Sequence, residues 1–271
     1  MIRRVGEAVK GGEPVILSEG EAADIPLDEA PDAILVQEML GNAPVDWIVT
    51  KARGRRKGLL VADMDSTIVT SETLDELAGY AGVQDEIEAI TRQSMNGEVD
   101  FAEALRQRVA MLQGLSLDAL QKTWDKTELM PGAKELVATM RKHNALTALV
   151  SGGFTFFTGK LAEVVGFDRH HANVLIDDGK TLTGAVAEPI LDRNTKKDVL
   201  VRLAEERGLK LAATLAVGDG ANDLAMLAVA GLGVAYHAKP IVAREARARV
   251  DHGNLRALLF AQGYPASAFV T

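Results

Sequence analysis

Short apolar runs that end in small or acidic residues recur along this chain. The clearest are residues 59–62, 145–150 and 214–217, each shorter than a typical helix. Apolar runs of this length with β-branched members predict buried strands. Apolar residues at helical spacing separate and follow these runs. The alternation predicts an α/β fold, with a mostly parallel sheet covered by helices on both faces.

The stretch between the first two predicted strands has a helical pattern throughout. Leu74, Leu77 and Ala78 fall on one helical face, and Ser71 is a candidate N-cap for that helix. Further helices are predicted over residues 83–93, 101–112, 117–126 and 131–143. Because these helices are inserted between two strands of one sheet, we expect residues from about 72 to 130 to form a helical cap over the sheet edge.

The second half of the chain alternates between strands and helices. Apolar runs on either side of Asp178-Gly179 predict a β-hairpin over residues 174–186, since such turn residues join antiparallel strands. The other predicted elements are helices over 155–165, 196–207 and 224–230, a strand over 232–235, a helix after Pro240 and a final helix from Asn254.

Residues 1–57 are predicted to form a small appended α/β segment of unknown role, ahead of a main domain over 58–271. Its expected elements are a strand over 14–18 and two further elements near 33–40 and 47–50. The segment ends in a basic run, residues 51–57. We interpret this run as a solvated linker because short charge runs usually face water, and contact with an acidic partner is the alternative.

Composition narrows the class of protein. Of the 271 residues, 47% are apolar, which is enough to bury a sizeable core. The formal net charge of -8 argues against nucleic-acid binding, and the absence of cysteine excludes disulfides, thiolate catalysis and zinc–thiolate sites. The first residues lack the apolar core of a signal peptide, and no apolar run approaches the ~18 residues of a membrane span. We expect a cytoplasmic protein that acts on a small molecule, without a nucleic-acid or membrane partner, either as a monomer or as a homodimer.

Two carboxylates directly follow the first predicted strand. Asp63 and Asp65 are separated by one residue, so an extended strand end places both side chains on the same side. Anions held that close repel each other unless a cation or a proton lies between them. Ser66 and Thr67 come next, as is typical of a loop that turns backbone N–H groups toward an anion. Taken alone, these residues also fit a solvated turn with helix-capping side chains.

Polar and acidic residues follow the other two strands as well. Ser151 and Gly152 follow the second strand, and Asp219, Asn222 and Asp223 follow the third. In a parallel sheet these strand ends open at one edge, where α/β proteins bind their ligands. We therefore expect these residues to lie close to the acids that end the first strand.

Acids clustered in this way need a cation among them, because charged groups are rarely buried unpaired. Oxygen ligands in a chain without cysteine favour Mg²⁺. The predicted ligands are the side chains of Asp63 and Asp219, with the carbonyl of Asp65 as a further candidate. For Asp219, a plain turn between strand and helix is the alternative.

Two other stretches are candidates for binding an anion. Ser151-Gly152-Gly153 offers a hydroxyl and backbone amides just before a helix, although a simple strand-to-helix turn explains the same residues. Lys196 and Lys197 begin a predicted helix, where cations oppose the helix dipole, so one of them is a candidate phosphate ligand. A solvent-facing lysine pair is the alternative.

Arg108 lies within an apolar helical stripe formed by Phe101, Leu105 and Leu112. A guanidinium in that position needs a carboxylate, from the protein or from a ligand. Glu72, just beyond the first acidic loop, offers a partner for an ammonium group. Together Arg108 and Glu72 would recognise the carboxylate and the ammonium group of an amino acid. An internal salt bridge or a snorkelled arginine, and an ordinary first-turn helix acid, are the alternatives.

Four stretches, in this order, resemble the signature motifs of haloacid-dehalogenase (HAD) phosphatases, in the version found in phosphoserine phosphatases. They are Asp63-Met64-Asp65-Ser66-Thr67, Val150-Ser151-Gly152-Gly153-Phe154, Asn194-Thr195-Lys196-Lys197 and Val217-Gly218-Asp219-Gly220-Ala221-Asn222-Asp223. The cap residues that match are Glu72, Met95-Asn96-Gly97, Phe101 and Arg108. The resemblance covers the chain from about Gly58 onward and implies a Rossmann-like three-layer α/β/α HAD core with an inserted helical cap.

The resemblance also implies roles at the reaction centre. Asp63 is expected to be the nucleophile that forms an aspartyl-phosphate. Asp65 is expected to protonate the leaving serine oxygen and then to deprotonate the attacking water. Mg²⁺ is expected to be held by Asp63, the Asp65 carbonyl and Asp219, with Asp223 supporting the waters of the metal.

Substrate contacts are implied in the same way. The residues expected to bind the phosphoryl group are Ser151, Gly152, Lys196 and Asn222. The residues expected to bind the serine part are Glu72, Met95, Phe101 and Arg108, with the acid on the ammonium group and the arginine on the carboxylate. Lys197 stands where the family usually has glycine, which leaves open which of the two lysines reaches the phosphate.

We therefore expect a Mg²⁺-dependent enzyme that hydrolyses O-phosphoserine to serine and inorganic phosphate, the last step of serine biosynthesis. A HAD phosphatase for another small phosphomonoester, such as phosphohomoserine, is one alternative. A non-enzymatic switch that carries phosphate on Asp63 is another. Asp65 separates the switch from the hydrolases, because a switch has no use for an acid that acts on a leaving alkoxide.

Overall fold

The computed structural model describes residues 1–95, 98–192 and 194–270, with only the backbone described for Met95. The strands are β1 (Val15–Ser18), β2 (Ala22–Asp24), β3 (Leu59–Ala62), β4 (Leu146–Phe154), β5 (Arg169–Asn173), β6 (Leu175–Asp177), β7 (Leu182–Val186), β8 (Thr214–Gly218), β9 (Leu232–Tyr236) and β10 (Ala248–Val250). The helices are α1 (Ile2–Ala8), α2 (Ala33–Leu40), α3 (Thr73–Ala81), α4 (Gln84–Met95), α5 (Phe101–Ala110), α6 (Leu117–Lys126), α7 (Ala133–Lys142), α8 (Thr155–Leu161), α9 (Thr195–Glu206), α10 (Leu224–Val229), α11 (Pro240–Glu245) and α12 (Ala257–Ala261).

The central sheet has the strand order β10-β9-β8-β3-β4-β5, and every neighbouring pair in it is parallel. Strand β3 lies in the interior of the sheet, and its four residues have no exposed surface. Leu60 and Ala62 face one apolar core, and Leu59 and Val61 face a second core on the other side of the sheet. This alternation follows from the two-residue period of a strand. The predicted three-layer α/β/α architecture is confirmed.

The cap consists of α3 to α6, inserted between β3 and β4 as predicted. Two of these helices begin at side-chain caps. Asp100 accepts hydrogen bonds from the backbone N–H groups of Ala102 and Glu103, and Ser116 accepts one from Asp118. Leu77 and Ala78 are buried, so the face predicted for α3 is the one that packs inward.

The predicted N-cap of α3 is wrong. Glu72, in extended conformation, precedes the helix, and the side chain of Asp65 accepts a hydrogen bond from the Thr73 N–H at 2.9 Å. The Ser71 carbonyl instead accepts a hydrogen bond from the Ser66 N–H. The carboxylate of Asp65, rather than the residue directly before the helix, therefore accepts a hydrogen bond from a backbone N–H of the first turn of α3.

Some helix boundaries differ from the predictions because the local backbone is not helical. Helix α7 begins at Ala133 rather than at Pro131, because Gly132 has a φ of 87° in the left-handed region. The predicted helix over 155–165 is α8 followed by a π-helical turn over Ala162–Gly166. The hairpin predicted around Asp178 is present as the antiparallel pair of β6 and β7.

Four elements were not predicted: α1, β2, β5 and β10. Strands β5 and β10 lie at the two edges of the central sheet. The sequence of β5, Arg169–Asn173, is polar and partly exposed, so it lacks the apolar run that marks an interior strand. Strand β2 pairs antiparallel with β1 in the N-terminal segment.

The N-terminal segment packs on the main domain through charged side chains. Arg55 pairs with Asp24 of β2, with nitrogen–oxygen distances of 2.6 and 2.9 Å, and donates to the carbonyls of Phe260 and Ala261. The interpretation of residues 51–57 as a solvated linker is therefore wrong for this arginine. The element expected near 47–50 is absent from the described structure, while 33–40 forms α2. The domain boundary after residue 57 stays a prediction.

None of the helices in the described part of the chain combines the length and the apolar character that crossing a membrane requires.

Candidate active site

Three strand ends bring their polar residues to one edge of the sheet. Strand β3 lies between β8 and β4, and all three run in the same direction. Asp63 directly follows β3, Asp219 directly follows β8, and Ser151 lies in the last part of β4. The N–H of Asp63 donates to the carbonyl of Val217, which carries the strand pairing up to the acids. The structure thus brings together the groups that the sequence placed at separate strand ends.

A cluster of buried carboxylates occupies this edge. Oxygen atoms of Asp63, Asp219 and Asp223 lie within 4.8 Å of one another, and all three residues are buried. Burial raises the pKa of Asp63 well above its usual range, and Asp223 raises it further. Burial also raises the pKa of Asp219 to about 6. Buried carboxylates that repel one another are a fitting donor set for a hard divalent cation.

Lys196 supplies a buried cation to this cluster. Its ammonium nitrogen lies 2.7 Å from Oδ1 of Asp63 and 2.6 Å from Oδ1 of Asp223. Burial by itself lowers the pKa of Lys196, but Asp223 and Asp63 raise it more, so the group stays charged. Lys197 points away and pairs with Asp198 at 3.7 Å, with 38% of its side chain exposed. Of the two candidate lysines, the structure places Lys196 at the site.

The side chain of Asp65 lies beside this cluster and has different partners. Its Oδ1 accepts from the Thr73 N–H, and its Oδ2 accepts from the Ser151 hydroxyl at 3.4 Å. Burial raises the pKa of Asp65 to about 7, and the negative charge of Glu72 contributes to the increase. A carboxyl group with this pKa can both donate and accept a proton near neutral pH.

The Ser151-Gly152-Gly153 turn forms part of a cavity under the cap. The Gly153 N–H donates to the Ser151 hydroxyl at 2.8 Å, which orders the turn. A Cβ atom at Gly153 would lie 3.0 Å from the Met64 side chain and 3.2 Å from that of Asp65, so the lack of a side chain allows this close approach. The cavity is lined by Phe101, Val150, Ser151, Gly152, Leu191, Asp192, Thr195, Lys196 and Asn222. It therefore joins the cap helix α5 to three loops of the core.

Glu72 lines an open groove together with Asp75 and Glu76 and is not among the residues that line the cavity. Its carboxylate accepts a hydrogen bond from the Ser66 hydroxyl at 2.8 Å, and 46% of its side chain is exposed. Ser66 has a φ of 54°, an uncommon conformation for a residue with a side chain. The Ser66 hydroxyl, in the turn after β3, therefore holds the Glu72 carboxylate beside this groove.

Arg108 is partly buried on α5, between the buried neighbours Ala104, Leu105 and Val109. Its guanidinium donates to the Ala104 carbonyl at 3.2 Å and to the Thr91 hydroxyl at 3.4 Å. Within the described residues, no carboxylate lies within 4.0 Å of it. Burial lowers the pKa of Arg108, while Asp75 and Glu72 act in the opposite direction. The internal salt bridge considered from the sequence is thus not formed.

Met95 ends α4, but its side chain, like Asn96 and Gly97, lies outside the described residues. Its predicted place in the pocket wall stays a prediction. Phe101, the other predicted wall residue, does line the cavity.

Two residues at this edge were missed by the sequence analysis. The ammonium group of Lys239 lies 3.6 Å from Asp219 and 4.0 Å from Glu72, and its backbone N–H donates to the Asp219 carbonyl. Asn173 contacts the Gly152 carbonyl through its side chain. Asn173 ends β5, and Lys239 follows β9 closely. The strand-end criterion applied to β9, which was predicted, would have found Lys239, whereas β5 was not predicted and its polar sequence gave no such signal for Asn173.

Comparison with known proteins agrees with this geometry. Residues 58–231 match the model of the haloacid dehalogenase-like hydrolase family. The chain therefore belongs to that family. It is 39% identical over 262 residues to a probable phosphoserine phosphatase of Schizosaccharomyces pombe, covering 96% of this chain and 88% of that protein. It is 45% identical over 203 residues to the phosphoserine phosphatase of Haemophilus influenzae, covering 74% of this chain and 64% of that protein.

Among solved structures, a phospho-aspartyl intermediate analogue of phosphoserine phosphatase is similar with a TM-score of 0.70 and 39% identity. The similarity covers 76% of this chain and 98% of that one. These two relatives and this structure carry the name phosphoserine phosphatase, the Schizosaccharomyces pombe protein as a probable one.

Proposed function

We propose that this protein hydrolyses O-phosphoserine to serine and inorganic phosphate, as the last step of serine biosynthesis, with Mg²⁺ as cofactor. The observation that carries the proposal is the buried Asp63–Lys196–Asp223 ion cluster beside Asp219, at the edge of a cavity that the cap covers. The similarity of the chain to named phosphoserine phosphatases also supports the proposal.

The reaction proceeds in two displacements. A carboxylate oxygen of Asp63 attacks phosphorus, and the bond from phosphorus to the serine oxygen breaks as Asp65 protonates that oxygen. Water then attacks the aspartyl-phosphate and loses a proton to Asp65, which releases inorganic phosphate and restores Asp63. The structure of a relative in the form of a phospho-aspartyl intermediate analogue supports this route.

Phosphate is bound by groups that already converge on the cavity. The Ser151 hydroxyl, the Gly152 N–H, the Lys196 ammonium group and the Asn222 side chain supply donors to the phosphoryl oxygens. Lys196 is shared between two carboxylates, so it can turn toward an incoming phosphate without losing all its partners.

The proposed metal ligands are Asp63, Asp219 and the Asp65 carbonyl, with Asp223 supporting metal-bound waters. When bound, Mg²⁺ neutralises phosphate charge and reduces the repulsion between nucleophile and substrate. The mutual proximity of the three buried aspartates supports this assignment.

The cap residues select serine. Glu72 holds the substrate ammonium group, and Arg108, whose guanidinium lacks a carboxylate partner in the described structure, holds the substrate carboxylate. Phe101 and Met95 form the wall of the pocket. Closure of the cap would exclude bulk water.

The test is phosphate release from a panel of phosphoserine, phosphothreonine and phosphohomoserine, with and without Mg²⁺. We expect Mg²⁺-dependent release with phosphoserine as the best substrate. Preference for another compound in the panel would favour the broader HAD phosphatase, and no release from any of them would contradict the proposal.

Asp65→Asn tests the assignment of the acid. We expect this variant to fold normally and to lose at least about 10²-fold in turnover, because asparagine can neither donate nor accept the proton. Asp63→Asn removes the nucleophile and serves as the inactive reference. Normal turnover by Asp65→Asn would contradict the role of Asp65.

A further inference from the structure

Asn173 is a buried polar residue with both ends of its side chain in use. Only 2% of its surface is exposed. Its Nδ2 donates to the carbonyl of Gly152 at 2.8 Å, and its Oδ1 accepts from the backbone N–H of Leu191 at 2.8 Å. A single amide therefore joins two segments that are far apart in the sequence.

Both segments line the cavity of the candidate active site. Gly152 belongs to the turn at the end of β4, and Leu191 lies in the loop that leads to Lys196. The β4–β5 pairing passes from Val150–His171 to Phe154–Asn173, so residues 151–153 leave the regular ladder. The Asn173 side chain supplies a hydrogen bond to a carbonyl within that interruption.

The bond to Gly152 orients the Ser151 hydroxyl. The Gly152 carbonyl and the Gly153 N–H belong to one planar peptide group, so holding the carbonyl also fixes the direction of the N–H. That N–H donates to Ser151 Oγ at 2.8 Å. Ser151 Oγ thus accepts one hydrogen bond, and the Ser151 hydroxyl donates another to Oδ2 of Asp65, with an oxygen–oxygen distance of 3.4 Å.

We infer that Asn173 is a positioning residue for phosphate binding. Asn173 fixes the orientation of the Gly152–Gly153 peptide group and, through that group, the orientation of the Ser151 hydroxyl. Its second hydrogen bond holds the segment that leads to Lys196 in place. The inference rests on the proposed function in one respect, which is that Ser151 and Lys196 bind the phosphoryl group.

Asn173→Asp is the informative variant because it is nearly isosteric. The carboxylate still accepts from the Leu191 N–H but offers no donor to the Gly152 carbonyl. We expect it to bind inorganic phosphate and orthovanadate at least about tenfold more weakly in calorimetric titrations with Mg²⁺, from the misplaced hydrogen bond together with repulsion by the new carboxylate. Turnover should fall by a similar factor. Inhibition by the product serine should be unchanged, because both side-chain hydrogen bonds of Asn173 go to segments outside the cap helices.

Gln262 provides a matched control. It is fully buried, its amide nitrogen donates to the Leu258 carbonyl at 3.0 Å, and its amide oxygen accepts from the Lys57 N–H at 3.0 Å. Lys57 precedes β3, so this bridge lies at the opposite edge of the sheet from Asp63. Gln262→Glu makes the same chemical change and should lower stability without changing phosphate or vanadate affinity.

The possible results distinguish a positioning role of Asn173 from a purely structural one. Equal losses of affinity in Asn173→Asp and Gln262→Glu, or unchanged affinity in Asn173→Asp, would overturn the inference. The neutral Asn173→Ala variant lacks both bonds and adds no charge, so it should also bind phosphate about tenfold more weakly, and unchanged affinity in it would likewise overturn the inference. It also takes the place of Asn173→Asp if that variant does not fold. If the unaltered protein binds phosphate but does not hydrolyse phosphoserine, and Asn173→Asp weakens that binding, then the proposed function fails while the inference about Asn173 stands.

Discussion

At the scale of single residues, the neighbours Lys196 and Lys197 have opposite surroundings. Lys196 is 3% exposed and contacts two buried carboxylates, whereas Lys197 faces solvent beside Asp198. They are adjacent on one helix and chemically identical. Lys196 shares one helical face with the buried Val199, Leu200 and Leu203, and the packing of that face against the sheet distinguishes it from Lys197. The family motif named Lys196, the lysine that follows it left the assignment open, and the packing of α9 places Lys196 at the site.

Substituting each lysine in turn tests this difference. We expect Lys196→Met to lower kcat by about 10²-fold or more, because a cation that stabilises phosphoryl charge is lost. We expect Lys197→Met, which changes the net charge equally, to alter kcat by less than about twofold. Equal effects of the two substitutions in the phosphate-release assay would contradict the assignment.

Removing Lys196 should also destabilise the protein when metal is absent. The substitution leaves Asp63 and Asp223 buried without their cation, and breaking such a buried pair costs about 3–5 kcal/mol. Thermal unfolding in EDTA is the measurement for this expectation, with Lys197→Met again as the reference.

Arg108 is a residue-scale test of substrate choice. We expect Arg108→Ala to lower kcat/KM for phosphoserine by about 10- to 100-fold, the value of a charge-assisted hydrogen bond pair, and to leave a generic aryl phosphate nearly unaffected. Arg108→Lys keeps the charge but not the planar fork and should fall between the two. Equal losses on both substrates would argue against a carboxylate-binding role.

At the scale of elements, the interior strands and the cap helices were the predictable parts. Leu59 to Ala62 form an unbroken apolar run because both faces of an interior strand are buried. Strand β5 was missed because an edge strand has fewer neighbours, and its residues are largely polar. The side chain that caps the N-terminus of α3 was missed for a related reason. Asp65 accepts a hydrogen bond from the first turn of α3 across a turn, and it does not directly precede the helix.

The attachment of the N-terminal segment gives an element-scale prediction. Arg55 joins β2 to α12 and its side chain is 21% exposed, while Arg53 of the same basic run is exposed. We expect Arg55→Ala to lower the free energy of unfolding by about 1–2 kcal/mol, through the lost charge-assisted bonds to Asp24. Arg53→Ala should change it by less than about 0.5 kcal/mol. Urea unfolding of the two variants would reveal any departure from this order.

At the scale of the whole molecule, strand order decides the chemistry. Strand β3 has β8 on one side and β4 on the other, although these strands are distant in sequence. Their parallel direction brings Asp63, Asp219 and Ser151 to one edge. The cap then covers that edge with α5 and its Phe101. This topology produces the cluster of buried acids. The carboxylates repel one another, and a bound cation reduces that repulsion.

The pH dependence of stability should report this repulsion. In the folded, metal-free protein burial raises the pKa of Asp219 from 3.8 to about 6, so the folded state binds a proton that the unfolded state has released. The contribution of this group is therefore largest at low pH and is lost as pH rises through that interval. Mg²⁺ replaces the proton and stabilises the folded state by mass action.

We therefore expect the increase in Tm caused by Mg²⁺, relative to EDTA, to be small at about pH 5 and larger at about pH 7.5. Asp219→Asn should reduce this increase at the higher pH. A metal-induced increase that is independent of pH, or unchanged in Asp219→Asn, would contradict the proposed metal site.

The amino-acid sequence by itself determined the class of fold, the interior strands, the cap helices and the chemical types gathered at strand ends. Those features depend on neighbours within a few residues, where apolar spacing and turn residues are decisive. The tertiary structure alone decided that Arg55 anchors a segment and that Asn173 belongs to the same edge as the acids, and it resolved which of Lys196 and Lys197 enters the site. Each of these depends on a contact between segments far apart in the chain, and such contacts exist only once the strands have taken their order in the sheet.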